Sequence, residues 1–302
     1  MDDRIRRVAV VGTGTMGAQI AIQAACYGYK VSAYDPTEGS FEEAVERLKV
    51  FMQLSGRNPL VSMEEWERGV QAVRHWKDLK EALRNADIVI EAVPESLDLK
   101  RKVFQKLDDM APPTAILGTN SSSIPISNIE GATNRPDKCL NIHFYSPATG
   151  WNMVDIMGGT MTTAETMQAV KAWLHSIACV PLTVRKEILG FCFNRVWRAI
   201  KKETLYLWSG GYVDFKDIDR AWMIFTGMPQ GPFGIMDAVG LDVVHDIEMI
   251  YHNQSQDPKD HPPVALKKMV ERNELGMKTG KGFYTYPDPE YQAIDFLKAP
   301  KR

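Results

Sequence analysis

Hydrophobic positions in the first half of the chain follow two rhythms. Arg7-Val8-Ala9-Val10-Val11-Gly12 is a short apolar, β-branched run that suits a strand covered on both faces. From Gly14 the spacing lengthens: Met16, Ile20, Ala24 and Tyr27 recur every three or four residues, and Gly28 supplies a stop. Lys30-Val31-Ser32-Ala33-Tyr34 reads as a second strand ending at Asp35-Pro36. Further strands are predicted over 87–93, 115–118, 140–144, 153–157 and 180–184. Between two of them Leu99, Val103, Phe104, Leu107 and Met110 form one apolar helical face. Thr162-Thr163-Ala164-Glu165 has the S/T-x-x-E form of a capping box and opens another helix. Strands separated by helices predict a mainly parallel, doubly wound α/β sheet. The stretch from about 42 to 83 is too long for one crossover and predicts an inserted helical pair, broken near Ser55-Gly56-Arg57-Asn58-Pro59.

After about Lys186 the strand pattern ends. Helices are predicted over 191–208, 216–226, 241–252 and 264–272, divided by Gly-Gly, Met-Pro and Pro-Pro breaks. The expected organisation is therefore an α/β domain over 1–186, followed by an all-α domain over 187–302. A chain of 302 residues suits two domains better than one. Composition narrows the function. With 36 basic against 38 acidic side chains there is no excess charge to neutralise a phosphate backbone, which argues against nucleic acid. No apolar run reaches the ~20 residues that span a bilayer, and Met1 to Arg7 lacks the apolar core of a signal peptide. Cys26, Cys139, Cys179 and Cys192 are scattered, without CxxC or metal-ligand spacing, which points to reduced thiols in a cytoplasmic protein and no metal site.

Gly12-Thr13-Gly14-Thr15-Met16-Gly17 fits G-x-G-x-x-G between a strand and a helix, with Asp35 at the end of the next strand. This is the Rossmann-type dinucleotide pattern. Gly12 serves the tight turn, Gly14 the approach of a pyrophosphate, and Gly17 the close packing of helix on sheet. The helix start adds free N–H groups and positive dipole. A carboxylate at Asp35 accepts hydrogen bonds from ribose hydroxyls. It would repel a 2′-phosphate by roughly 4 kcal/mol per charge pair at ~4 Å. Pro36-Thr37-Glu38 offers no cation to offset that, so NAD is expected rather than NADP.

A second polar cluster is Asn141-Ile142-His143-Phe144-Tyr145-Ser146-Pro147, at a strand's carboxyl end, where ligands of open α/β sheets bind. His143 there can accept the hydroxyl proton released as a hydride moves to nicotinamide. Twelve residues on, Asp155 interrupts the apolar Met153-Val154-Asp155-Ile156-Met157. A buried carboxylate needs a cation or several donors; an imidazole that becomes charged is one partner, and backbone N–H groups are the alternative. Asn120-Ser121-Ser122-Ser123 is a third polar cluster, read either as a contact to a substrate oxygen or as a Ser-rich turn.

These motifs together resemble the L-3-hydroxyacyl-CoA dehydrogenases, with related hydroxy-acid dehydrogenases such as the L-gulonate 3-dehydrogenases close behind. Further elements in the same order are Glu91-Ala92-Val93-Pro94-Glu95, Gly190-Phe191-Cys192-Phe193-Asn194-Arg195, Pro229-Gln230-Gly231-Pro232-Phe233 and Lys278-Thr279-Gly280-Lys281-Gly282-Phe283-Tyr284. The resemblance implies that His143 is the general base and that Asp155 holds the position of its carboxylate partner. It implies that Ser122 bonds the substrate oxygen near the nicotinamide and that Asn194 helps hold the reacting carbonyl. It places Glu95, Lys100 and Lys278 at NAD contacts, and it implies a homodimer formed through the helical domain.

Three departures concern the substrate more than the chemistry. The family has Glu at Asp155 and Asn at Ser146, where a nicotinamide-side hydrogen bond would differ. Thr149-Gly150-Trp151-Asn152 brings a bulky Trp toward the expected pocket. The inserted pair usually offers basic residues to the CoA phosphates, yet residues 36–80 hold seven Lys/Arg against eight Asp/Glu, with Lys49 and Arg57 left as individual candidates. Trp66 and Trp76 suit core packing better than stacking on an adenine. The substrate is thus expected to be an acyl-CoA or, alternatively, a free small or aromatic 3-hydroxy acid. A non-catalytic NAD sensor is disfavoured by the intact functional groups. The β-hydroxyacid dehydrogenases, which use a helical lysine that Lys201 or Lys202 would have to imitate, fit the His143 to Asp155 segment less well.

Overall fold

A computed structural model describes residues 5–55, 60–146 and 150–298. The chain forms two compact units, Met1–Phe193 and Asn194–Arg302. The division falls seven residues beyond the boundary expected at 186. The irregular segment after the last strand stays with the first unit, because Glu187 accepts the Ser127 hydroxyl at 2.6 Å and Phe191 stacks on His143.

In the first unit the order is β1 (Arg7–Val11), α1 (Thr15–Cys26), β2 (Lys30–Tyr34), α2 (Ser40–Ser55), α3 (Met63–Ala72), β3 (Arg74–Trp76), α4 (Leu79–Leu83), β4 (Ile88–Glu91) and α5 (Leu97–Met110). It continues with β5 (Ile116–Thr119), β6 (Cys139–Ser146), β7 (Trp151–Gly158), α6 (Ala164–Ser176) and β8 (Val180–Val184). The eight strands make one sheet in the order β3-β2-β1-β4-β5-β6-β7-β8. Every neighbouring pair is parallel except β6 and β7, which run antiparallel. The chain leaves β1 toward β2 and β3 and returns to β4 on its other side, which creates the topological switch point of this architecture.

Alternation along the strands explains why both faces are covered. Val8, Val10, Ile142, Phe144, Val154 and Ile156 pack with α1, α2 and α6. Ala9, Val11, Val89 and Leu117 turn the other way, onto Phe104 and Leu107 of α5. The predicted strands are all present. β3 and α4 were not anticipated: Arg74-His75-Trp76 carries too few apolar residues to stand out, and it becomes a strand by pairing with β2. The capping box expected at Thr162 is displaced by one residue. Thr163 caps α6 by accepting the Thr166 N–H at 3.2 Å, while the Thr162 hydroxyl bonds the Cys139 carbonyl instead.

α7 (Phe193–Ser209) leads from the end of the first unit into the second, which also holds α8 (Phe215–Thr226), α9 (Pro232–Val239), α10 (Leu241–Ser255) and α11 (Val264–Glu271). The short α9, missed for its internal glycine, starts at a proline whose absent N–H costs nothing there. Two buried carboxylates bind α8, α9 and the C-terminal segment together. Asp219 accepts the N–H groups of Phe233 and Gly234 and the Tyr284 hydroxyl at 2.8, 3.0 and 3.0 Å. Asp237 accepts the N–H groups of Phe283 and Tyr284 and the Tyr286 hydroxyl at 3.0, 2.9 and 3.1 Å. Burial pushes the Asp219 carboxyl up to about 6, against the pull of its three donors. Tyr284→Phe removes a hydrogen bond to a carboxylate mostly ionised at pH 7.5, and is expected to lower the unfolding free energy by about 1–3 kcal/mol. Urea denaturation at that pH measures it.

Candidate active site

The turn after β1 is built by steric necessity. Gly12 has φ +92°, and a Cβ there would lie 2.7 Å from the Ala92 carbonyl oxygen, so β1 and the end of β4 touch through backbone. A Cβ on Gly17 would sit 1.8 Å from the Gly12 carbonyl oxygen, whereas one on Gly14 would meet nothing within 4 Å. The three glycines thus divide into two that the fold requires and one that opens on free space. α1 begins at Gly14 with no side chain capping it, so Thr15, Met16 and Gly17 present first-turn amides. Asp35 stands beside them: its carboxylate accepts the Thr13 N–H at 2.7 Å, the Thr37 N–H at 2.9 Å and the Ser40 hydroxyl at 3.3 Å. An open glycine cradle, uncapped amides and an anchored acid fit a dinucleotide with free ribose hydroxyls.

β6 and β7 supply the second group. In their antiparallel register His143 lies directly opposite Asp155, so both side chains project from the same sheet face. Both are buried, Asp155 completely. The His143 Nδ1 to Asp155 Oδ2 distance is 3.7 Å, too long for a hydrogen bond. The hydroxyl of Tyr145, two residues along the same strand face, instead donates to Asp155 Oδ2 at 2.6 Å. The imidazole lies between two rings: Phe191 is stacked at 5.1 Å with planes 7° apart, and Tyr145 is edge-on at 4.7 Å. Phe191 takes a left-handed backbone at φ +51°, a strained conformation for such a side chain. Backbone donors to the Asp155 side chain, the alternative raised by the sequence, are absent among the described residues.

The ends of β4 and β5 contribute a polar network. Asn120 accepts the Phe144 N–H at 2.9 Å, which fastens this edge to the strand of His143. Glu95 gathers the hydroxyls of Ser121 and Ser123 and lies 3.3 Å from the Lys100 ammonium. Burial raises its carboxyl, but those hydrogen bonds and Lys100 outweigh it and hold Glu95 below the usual carboxylate range. Lys100 is itself buried, donating to Glu91 at 2.8 Å and to the Val93 carbonyl at 3.1 Å. It therefore acts on Glu95 and Glu91 rather than standing as a free cation. Ser122 is exposed and lines, with Ser123 and Phe191, a small pocket on this side. Ser146 donates to the Gln19 side chain of α1 at 2.9 Å and so ties the end of β6 to the dinucleotide helix. A separate cavity of about 340 Å³, lined by Arg7, Lys30, Ser32, Arg74 and Trp76, opens at the amino ends of the strands, away from this edge.

Comparison with known proteins identifies the family. The sequence pattern of "3-hydroxyacyl-CoA dehydrogenase, NAD binding domain" matches residues 7–188, and that of "3-hydroxyacyl-CoA dehydrogenase, C-terminal domain" matches residues 190–286. The chain belongs to the 3-hydroxyacyl-CoA dehydrogenase family. It is 32% identical to a 3-hydroxybutyryl-CoA dehydrogenase of Clostridioides difficile over 284 residues, covering 93% of this chain and 99% of that one. A solved diketoreductase, described for substrate-directed dual catalysis of dicarbonyl compounds, superposes with a TM-score of 0.83 and 36% identity, covering 93% of this chain and 99% of that one. The 5-formyl-3-hydroxy-2-methylpyridine 4-carboxylate 5-dehydrogenase of Mesorhizobium japonicum is 28% identical over 300 residues, covering 98% of this chain and 96% of that one.

As a 3-hydroxyacyl-CoA dehydrogenase family member, the chain is an NAD-dependent oxidoreductase with a Rossmann-type domain followed by a helical one. The lysine alternative weakens, since Lys201 is buried against Glu248 at 3.1 Å and Lys202 is paired with Asp260 at 2.5 Å. Asn194 opens the second unit, and Lys278 lies there in an ion pair with Asp242 at 2.5 Å. Trp66 is buried in the core, and Trp76 lies under the Arg74 guanidinium, 3.8 Å from its ring centre. Trp151 opens β7 opposite Ser146 and is partly exposed. Arg57, Pro147 and Thr149 lie outside the described residues. Sequence reasoning missed Tyr145 and Phe191; the period-2 alternation of β6 held the signal for Tyr145, since it puts residues 143 and 145 on one face.

The glycines separate folding from binding. Gly14→Ala is expected to keep stability within about 1 kcal/mol and to weaken NAD by about tenfold or more. Gly17→Ala should cost about 3 kcal/mol or more through its backbone clash. Thermal denaturation and NAD titration by fluorescence distinguish the two.

Proposed function

We propose that this protein interconverts an L-3-hydroxyacyl-CoA and its 3-oxoacyl-CoA, with His143 as the general base. The observation that carries this reading is the placement of a buried imidazole opposite a buried carboxylate at the carboxyl edge of an NAD-binding sheet. NAD, when bound, takes the hydride from the carbon bearing the hydroxyl. Gly12, Gly14, Thr15, Met16 and Gly17 cradle its pyrophosphate, and Asp35 receives the adenosine ribose. Glu95, Lys100, Ser122 and Ser146 shape the nicotinamide end, with Lys278 a further contact on the family resemblance. His143 removes the substrate hydroxyl proton, and Asp155 provides the counter-charge for the imidazolium that results. The flat stack on Phe191 also favours that cation. Ser122 holds the reacting oxygen, a role to which the family resemblance adds Asn194. In the reverse direction the same imidazolium returns the proton to the alkoxide.

A free 3-hydroxy acid or a dicarbonyl compound is the second reading, and one observation favours it. Four of the described basic residues in the stretch 36–80 are paired locally: Arg47 with Glu43, Lys49 with Glu46, Arg68 with Glu64, and Lys77 with Glu38, at 3.6, 2.9, 3.8 and 3.5 Å. Such pairs are weak, yet together they leave little net positive field to draw a CoA phosphate. The free, scattered thiols agree with a cytoplasmic setting. Exposed Tyr212, Ile224 and Phe225 on the helical unit, the last 90% accessible, agree with a homodimer through that unit.

A spectrophotometric screen for NADH decides between the two substrates. Turnover of 3-hydroxyacyl-CoAs with competitive inhibition by free CoA is expected; turnover of free 3-hydroxy acids alone would transfer the assignment to the second reading. His143→Gln should lower kcat by about 10²–10⁴-fold with NAD affinity nearly unchanged, and full activity in that variant would remove His143 from the role. Sedimentation is expected to give twice the protomer mass.

A further inference from the structure

Asp155 is fully buried in β7, beside Leu182 of β8 and opposite His143 of β6. A carboxylate in that position needs donors. Among the described residues its side chain receives a hydrogen bond from Tyr145 alone, at Oδ2, while Oδ1 and the imidazole Nδ1 have none. The 3.7 Å from Oδ2 to Nδ1 is about 1 Å beyond a charge-assisted hydrogen bond. The phenol is itself confined: its ring meets the imidazole edge-on at 4.7 Å on one side and Phe193 at 5.6 Å on another.

We propose that Tyr145 is a positioning residue of the active site, whose hydroxyl holds the Asp155 carboxylate in place as the counter-charge of His143. The proposal rests on the general-base reading given above. Tyr145 keeps its proton throughout the cycle. The hydroxyl proton of the substrate goes to the imidazole Nε2, Nδ1–H faces the carboxylate, and the phenol keeps that carboxylate aligned while the imidazole is neutral. A short acid thereby does what would otherwise require a side chain long enough to reach the imidazole directly. Specificity of position, rather than extra binding, is what the tyrosine supplies, so its loss should register in turnover and not in cofactor affinity.

The test is a double-mutant cycle of Tyr145→Phe and Asp155→Glu on the full-length enzyme. Tyr145→Phe is expected to lower kcat by about 10- to 100-fold, the worth of one hydrogen bond to a charged group, with KM for NAD within about twofold. Adding Asp155→Glu to it is expected to recover about fivefold or more, because the longer acid reaches Nδ1 without the phenol. In the Asp155→Glu background, removing the hydroxyl should cost less than about threefold. Unchanged kcat in Tyr145→Phe, or a double variant no faster than Tyr145→Phe, would overturn the proposal. Should circular dichroism show Tyr145→Phe unfolded, the comparison within the Asp155→Glu background stands in its place, and a loss there above about tenfold overturns the idea. Failure of the general-base reading shows differently, as full activity in His143→Gln.

Discussion

The register of one antiparallel strand pair brings a buried imidazole and a buried acid of the first unit together. β6 and β7 are the sole antiparallel neighbours in the sheet, and their pairing sets His143 against Asp155. A slip of one residue would turn every side chain of one strand to the opposite face. It would bring Val154 or Ile156 against the imidazole and send the carboxylate into the apolar layer under α6. That outcome is heavily penalised, since Ile142, Phe144, Val154 and Ile156 all belong to one buried cluster. The hydrophobic alternation that stabilises the sheet is therefore the same feature that brings the acid and the imidazole together.

Buried charge is handled here in three different ways. Glu91 is fully buried and meets a true cation, Lys100, together with the Thr119 hydroxyl and the Val93 N–H. Asp219 and Asp237 have no cation beside them among the described residues and are held by backbone N–H groups and tyrosine hydroxyls. Asp155 has a single phenol and an imidazole just out of reach. The first two arrangements satisfy their acids within the resting fold and make rigid joints. The third leaves a carboxylate oxygen and a ring nitrogen without hydrogen-bond partners among the described residues, a state that costs stability.

Much of this was legible from the residues, and the failures have physical causes. The dinucleotide turn was readable because glycine is the one residue that relieves those contacts, so G-x-G-x-x-G carries steric information directly. His143 and Asp155 were readable because polar residues inside apolar runs demand explanation. β3 was hidden because its strand character comes from pairing with β2 rather than from its own three residues. The burial of Lys100 against Glu91 was hidden for a related reason, since it arises from the packing of α5 on β4. Tyr145 was overlooked because the acid was matched with the imidazole or with backbone N–H groups, and a phenol within an aromatic strand passes for core.

Substrate choice is harder to read than the reaction because the two depend on different parts of the chain. The pairing of His143 with Asp155 is fixed by strand register and by side chains two or three bonds long, which a fold reproduces faithfully. Recognition of a large anionic handle depends on the field of long, exposed side chains, where a nearby acid cancels each cation at little cost to folding. In this chain Glu43, Glu46, Glu64 and Glu38 do that to Arg47, Lys49, Arg68 and Lys77. A family can thus hold its chemistry constant while its surface drifts from one substrate to another. A 3-hydroxybutyryl-CoA dehydrogenase and a diketoreductase both stand among the similar proteins.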